Sequence, residues 1–299
     1  EYNIGKVAIV DTDCHHGDGT QDIYWHDPET LFISVHQDGR TLYPGSGFTN
    51  ELGGPTAIGT TVNIPLPPNT SDEGYLYTIK NVVLPILEDF KPDIIINSAG
   101  QDNHYTDPIT NMNFSAQGYA DLTTLLKPDI AVLEGGYSIE GALPYVNVGI
   151  ILAMAGIDYS KVVEPDYNPE NIRQSDSVSQ QIENTGENVL NSWHQRSSAR
   201  EQAMNKLEFD ERNRNIFYDT DGIKEIQNET IRICPDCGGT LRIDSSASTG
   251  SHILAVHIPI KGCNECKQKG YDWYEGAESK DYHGIYLQDR TEDIYLKRN

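Results

Sequence analysis

Four short apolar runs, residues 6–10, 31–36, 94–98 and 129–133, alternate with segments of helical spacing, and this alternation constrains the fold more tightly than any other feature. The runs are rich in β-branched residues and read as strands buried in a parallel sheet. Between them, residues 72–90 place Tyr75, Leu76, Ile79, Val82, Val83, Ile86, Leu87 and Phe90 on one helical face. Residues 116–126 form a second helix stopped by Pro128, and residues 22–25 a short third. A further strand candidate, residues 61–66, is weakened by Pro65. The expected fold class is α/β, a three-layer, open, mostly parallel sheet with helices on both faces.

Polar clusters follow these strands, at the edge where open α/β sheets bind their ligands. After the first run comes DTDCHHGDGT, residues 11–20. Alternation along an extended chain puts Asp11, Asp13 and His15 on one side. Two adjacent carboxylates repel each other, and a divalent cation held between carboxylate oxygen and imidazole nitrogen removes the repulsion. A polar turn explains the same residues if they stand alone. Asp102 follows the run at 94–98, and Tyr137 follows the run at 129–133. Three polar clusters on one sheet edge favour a metal site over three independent turns.

Charge excludes some functions. With 22 Lys and Arg against 45 Asp and Glu, the net charge is −23; such a chain repels nucleic-acid phosphate and suits cationic substrates. The longest apolar run, residues 146–157, is broken by Gly149 and Gly156 and falls short of the ~20 residues that span a membrane. Four of the five cysteines form CxxC pairs, Cys234 with Cys237 and Cys263 with Cys266, 25 residues apart. Four thiolates at this spacing resemble a zinc ribbon with a structural Zn2+, and suit a reducing, cytoplasmic setting better than a disulfide framework. The ribbon names no protein partner. The chain opens on Glu1 rather than Met and enters a strand almost at once, so an upstream part is expected to be absent.

The motifs DTDCHHGDGT, HQDGRTLYPGSG (36–47), SAGQDNHYTDP (98–108) and LEGGY (133–137) resemble the zinc-dependent histone deacetylase superfamily. Their wording is closest to the bacterial class II type, alongside acetoin-utilisation proteins and acetylpolyamine amidohydrolases. The resemblance covers residues 4 to about 160. It implies an arginase/deacetylase-like fold and a catalytic Zn2+, or Fe2+, on Asp13, His15 and Asp102. It also implies that Tyr137 donates a hydrogen bond to the developing oxyanion. Tyr43 and Gly136 would line the substrate tunnel, and Asp11 and Asp18 would orient an adjacent histidine pair acting on water. That pair lies upstream in the family, and this chain has no candidate before His15; His15 and His16 belong to the ligand motif. Ser34 and Val35 match a monovalent-cation site, for K+. His36, His104 and Asp107 are read as loop-stabilising.

The resemblance thus implies hydrolysis of acetyl-lysine or of an acetylated polyamine. The alternative is a non-catalytic deacetylase-like binding module; arginase-like chemistry suits Tyr137 and a single-metal ligand set less well. Residues 1–163 are expected to form a deacetylase-like domain lacking its N-terminal part. Residues 164–224 would be a polar linker or helical extension, and residues 225–299 the ribbon.

Overall fold

The computed structural model describes residues 4–165, 167–205, 208–218 and 220–299. The chain forms two compact units, Glu1–Ser197 and Ser198–Asn299.

The first unit is built on a five-stranded, all-parallel sheet in the order β3-β2-β1-β4-β5. Its strands are β1 (Val7–Asp11), β2 (Thr30–Gln37), β3 (Thr61–Leu66), β4 (Ile94–Ala99) and β5 (Ile130–Leu133). β1 lies at the centre, so the polar cluster after it opens mid-sheet. Pro65 sits in β3, an edge strand, where a missing N–H costs no ladder bond. β5 was expected to be buried, yet Ile130 and Val132 are 44% and 46% exposed. This strand is the other edge of the sheet.

One helical run covers residues 72–90 as expected: α2 (Asp72–Thr78), a π-helical stretch (Ile79–Val83) and α3 (Leu84–Phe90). Pro85 has no N–H to give to the preceding turn, and the widened stretch just before it relieves the clash that a proline ring makes inside an α-helix. α1 (Asp18–Tyr24) starts inside the first motif, earlier than expected. α4 (Ala116–Leu126) and α5 (Leu143–Met154) complete the layer. Ser115 caps α4, its Oγ accepting from the Gly118 N–H, and Asp72 accepts from both the N–H and the hydroxyl of Ser115.

The expected boundaries at 163 and 224 need correction. Residues Asp176–Met204 form a 29-residue helix, α6. Its buried positions Ile182, Gly186, Val189 and Trp193 step by four, three and four, and Ile182, Val189 and Trp193 join the core of the first unit. The stripe is one residue wide, so the sequence around it reads as polar. The expected helical extension is thus present as α6, which ends at Met204; Lys206 and Leu207 lie outside the described residues.

The second unit is larger than a two-knuckle ribbon. Its six-stranded sheet, order β11-β10-β9-β8-β7-β6, comprises β6 (Phe209–Tyr218), β7 (Ile223–Arg232), β8 (Leu241–Ala247), β9 (His252–Ile258), β10 (Gly284–Asp289) and β11 (Ile294–Arg298). All neighbours are antiparallel except β9 and β10, between which runs α7 (Asn264–Gly276). β6 pairs with β7 along ten residues, which brings part of the supposed linker into this unit. The core of this unit joins Tyr274 of α7 to Leu254, Val256, Ile258, Ile285 and Leu287 of the sheet.

Candidate metal centre

Beyond β1 the chain folds back on its own carboxylates. The Asp13 N–H donates to Asp11 Oδ1 at 3.0 Å and the His15 N–H to Asp13 Oδ1 at 2.8 Å, two successive turns closed by aspartate side chains. From the loop after β4, Asp102 reaches the same place. Its Oδ1 accepts from the Cys14 N–H at 2.8 Å, and the Thr110 hydroxyl donates to its carbonyl. After β5, the Gly135 N–H donates to Asp13 Oδ2 at 2.8 Å.

His15 Nδ1 then lies 2.7 Å from Asp102 Oδ2 and 3.3 Å from Asp13 Oδ1. One ligand atom from each of the three residues falls within 4.8 Å of the others. Two carboxylates and one imidazole make a donor set suited to a catalytic divalent cation, with positions left for water and substrate. The surroundings are cut to fit: a Cβ on Gly100 would lie 2.3 Å from Asp13 Oδ2, and one on Gly135 would lie 2.8 Å from Asp13 Oδ2 and 2.9 Å from Asp102 Oδ2. Gly135→Ala is therefore expected to weaken metal binding at this centre at least tenfold, as disturbed support around ligands does, in a chelator competition assay.

Electrostatics point the same way. The carboxylates of Asp102 and Asp13 push the His15 pKa up to about 10, so a proton on the imidazole answers the local negative charge. Asp102 is fully buried, and that burial raises its pKa despite the bond to His15. Burial also acts on Asp13, but the hydrogen bonds from His15 and from the Gly135 N–H outweigh it and hold Asp13 low. Asp11, buried and close to the charges of Asp13 and Glu134, is raised well above the usual range.

Tyr137 stands 48% exposed, its ring edge-on to His15 at 6.5 Å between centroids. The Tyr137 N–H donates to Asp107 Oδ2 at 2.9 Å, and partial burial together with Asp102 and Asp13 raises the phenol pKa, keeping its proton in place. Gly136 is wedged where a Cβ would meet Leu143 at 2.8 Å.

Other expected residues stand apart from the cluster. Asp18 is exposed in the first turn of α1 and accepts from the N–H of Gly19. Tyr43 is 70% exposed, with no ring contact or hydroxyl hydrogen bond among the described residues. Ser34 Oγ bonds His36 Nδ1, and the Val35 carbonyl accepts from the Tyr75 hydroxyl at 3.0 Å. His16 is held by Ser46 and Gln21, and His36 by Ser34 and the Gly47 carbonyl. The N–H of Gly135 and Glu164, the buried partner of His104, escaped sequence reading. A backbone donor has no side-chain signature, and only the glycines after the strand hinted at it.

In the second unit Cys234 and Cys237 occupy the turn between β7 and β8, and Cys263 and Cys266 the start of α7. All four thiols are free, and their sulfurs lie within 4.8 Å of one another. Zinc–sulfur arms of about 2.3 Å at a tetrahedral angle separate sulfurs by about 3.8 Å; Cys234 and Cys263 are 3.8 Å apart. Arg232 donates to Cys266 Sγ at 2.9 Å. Although burial opposes ionisation, the Cys266 N–H and the neighbouring thiols hold Cys263 at about 7.

The chain is similar to several known proteins. Residues 1–147 match the histone deacetylase domain family. A probable deacetylase of Archaeoglobus fulgidus is 49% identical over 195 residues, covering 62% of this chain and 54% of that protein. An acetoin utilization protein AcuC of Staphylococcus xylosus is 37% identical over 165 residues, covering 52% of this chain and 43% of its own. The solved HD domain of HDA15 matches with a TM-score of 0.56 at 29% identity, covering 69% of this chain and 56% of that one. The chain spans about half the length of the curated relatives it matches.

Proposed function

Through its first unit this chain belongs to the histone deacetylase superfamily, and from that premise we propose that it is a metal-dependent deacetylase. Its substrate is acetyl-lysine or an acetylated polyamine. The observation that carries this reading is the meeting of Asp13, His15 and Asp102 at the carboxyl edge of the sheet, although Asp102 comes from a different strand end. These residues would hold zinc, with iron(II) as the other metal suited to an oxygen-rich set. Bound there, the metal supplies a Lewis acid for the amide carbonyl and lowers the pKa of water.

The chain's own groups supply the rest. Tyr137, protonated and beside the ligands, donates to the oxygen on which charge develops. Asp13 and Asp102 are oriented by the N–H groups of Gly135 and Cys14, so the ligands are set before metal arrives. Substrate charge fits the field of this unit: residues 1–197 contain 27 Asp and Glu against 8 Lys and Arg. Four thiolates in the second unit would hold a structural zinc, and free thiols fit a cytoplasmic setting. No helix among the described residues is long and apolar enough to cross a membrane.

One observation favours the binding-module reading. His16, His36 and His104 are each engaged away from the three ligands, and a general base of this kind contributes ~10²–10⁴-fold. The assay that separates the two is hydrolysis of a fluorogenic acetyl-lysine peptide and of an acetylated polyamine, with and without chelator. Turnover abolished by chelator and restored by zinc is expected; metal uptake without chelator-sensitive turnover leaves the binding module. Tyr137→Phe is expected to lower kcat by about 10²–10³ with metal content unchanged by elemental analysis. Loss of metal in that variant contradicts the role given to the phenol.

A further inference from the structure

Glu164 heads the segment that sequence alone assigns to a linker, yet it is 2% exposed and its partner His104 1%. Glu164 Oε1 accepts from His104 Nε2 at 3.1 Å and from the Ala116 N–H at 3.3 Å. The tautomer of His104 follows from its other face. The Thr106 N–H donates to Nδ1 at 3.2 Å, so the ring proton sits on Nε2 and points at the carboxylate. Thr106 Oγ1 is 2.9 Å from the same Nδ1 and 2.7 Å from Ser138 Oγ. The contacts thus run from Ser138 through Thr106 and His104 to Glu164, with the His104 Nε2–H donating in the last of them.

This chain of hydrogen bonds starts next to Tyr137 and passes two residues from Asp102. Its end is an anion, which makes the last bond charge-assisted and roughly doubles its strength. The same carboxylate takes an N–H at the start of α4. Two loops of the candidate centre, the Asp102 loop and the Tyr137 loop, together with the start of α4, are thus tied to one buried side chain sixty residues along the chain from His104.

We propose that Glu164 is a positioning residue for the metal centre, fixing the Asp102 loop against the Tyr137 loop through His104. The proposal rests on the metal reading of Asp13, His15 and Asp102. Groups that support ligands in this way typically change metal affinity 10–100-fold when removed.

The test is zinc affinity of the first centre by competition with a chromophoric chelator, using the full chain with its four cysteines already filled with zinc. Glu164→Ala is expected to bind about tenfold more weakly. Glu164→Asp keeps the charge but draws the oxygen back from His104, and is expected to weaken binding nearly as much. Glu164→Gln keeps an acceptor for His104 Nε2 and is expected to stay within about threefold of wild type. A purely structural role lowers the melting temperature of the metal-free variants without separating Gln from Asp in affinity. If Ala does not fold, the Asp and Gln pair decides. Wild-type affinity in Glu164→Asp overturns the proposal; absence of a second zinc in the wild type overturns the metal reading itself.

Discussion

Replacing Asp102 by alanine is expected to leave one metal per chain where the wild type holds two, and to reduce acetyl-lysine hydrolysis to the level seen with chelator. Asp102 is fully buried. It contributes one oxygen to the cluster while the other accepts from the Cys14 N–H. Alanine removes both, and His15 and Asp13 alone make a poor site for a divalent cation in competition with water. The stranded Cys14 N–H costs about 1–3 kcal/mol of stability, a tolerable loss for a domain of this size. Asp102→Asn keeps the shape and an acceptor for Cys14, so it separates loss of the metal from loss of the fold. Elemental analysis beside thermal unfolding gives both readings.

The second large effect concerns the other unit. Cys266→Ser, or removal of zinc from the four thiolates, is expected to unfold residues 198–299 while the first unit keeps its helical signal. Five buried apolar side chains of β9 and β10, with Tyr274 of α7, form the larger core of this unit. Structural zinc sites of four thiolates contribute apparent binding energies of about 10–16 kcal/mol, comparable with the whole stability of a domain. Cys266 is fully buried and accepts from Arg232, so its loss removes one of the four sulfurs and leaves Arg232 with Glu265 as its side-chain partner. Limited proteolysis should cut within residues 198–299 and spare the first unit. An unchanged digestion pattern after verified zinc loss contradicts a structural role for the metal.

What could be read from the sequence follows from where the information lies. Strand ends were legible because buried parallel strands are almost purely apolar, and the candidate ligands stand shortly after them. Asp13, His15 and Asp102, whose donor atoms the fold brings within 4.8 Å of one another, could therefore be singled out before it was known. The supports could not. Gly135 acts through a backbone N–H, and Glu164 looks like any surface glutamate until the loop that buries it is in place. α6 escaped because its buried stripe is a single residue wide, and β6 because FDERNRNIFY pairs through its backbone while its side chains remain largely polar. At Asp18 the motif position implied a role beside a histidine pair, and the structure shows its side chain exposed in the first turn of α1, where it accepts from the Gly19 N–H.

In a crystal soaked in zinc, data collected at the zinc edge should show an anomalous peak about 2.0–2.2 Å from His15 Nδ1 and from one oxygen each of Asp13 and Asp102. A second peak should lie at the centre of the four cysteine sulfurs. A fully loaded crystal with the cysteine peak alone, or with a peak that leaves Asp102 out of reach, contradicts that ligand set.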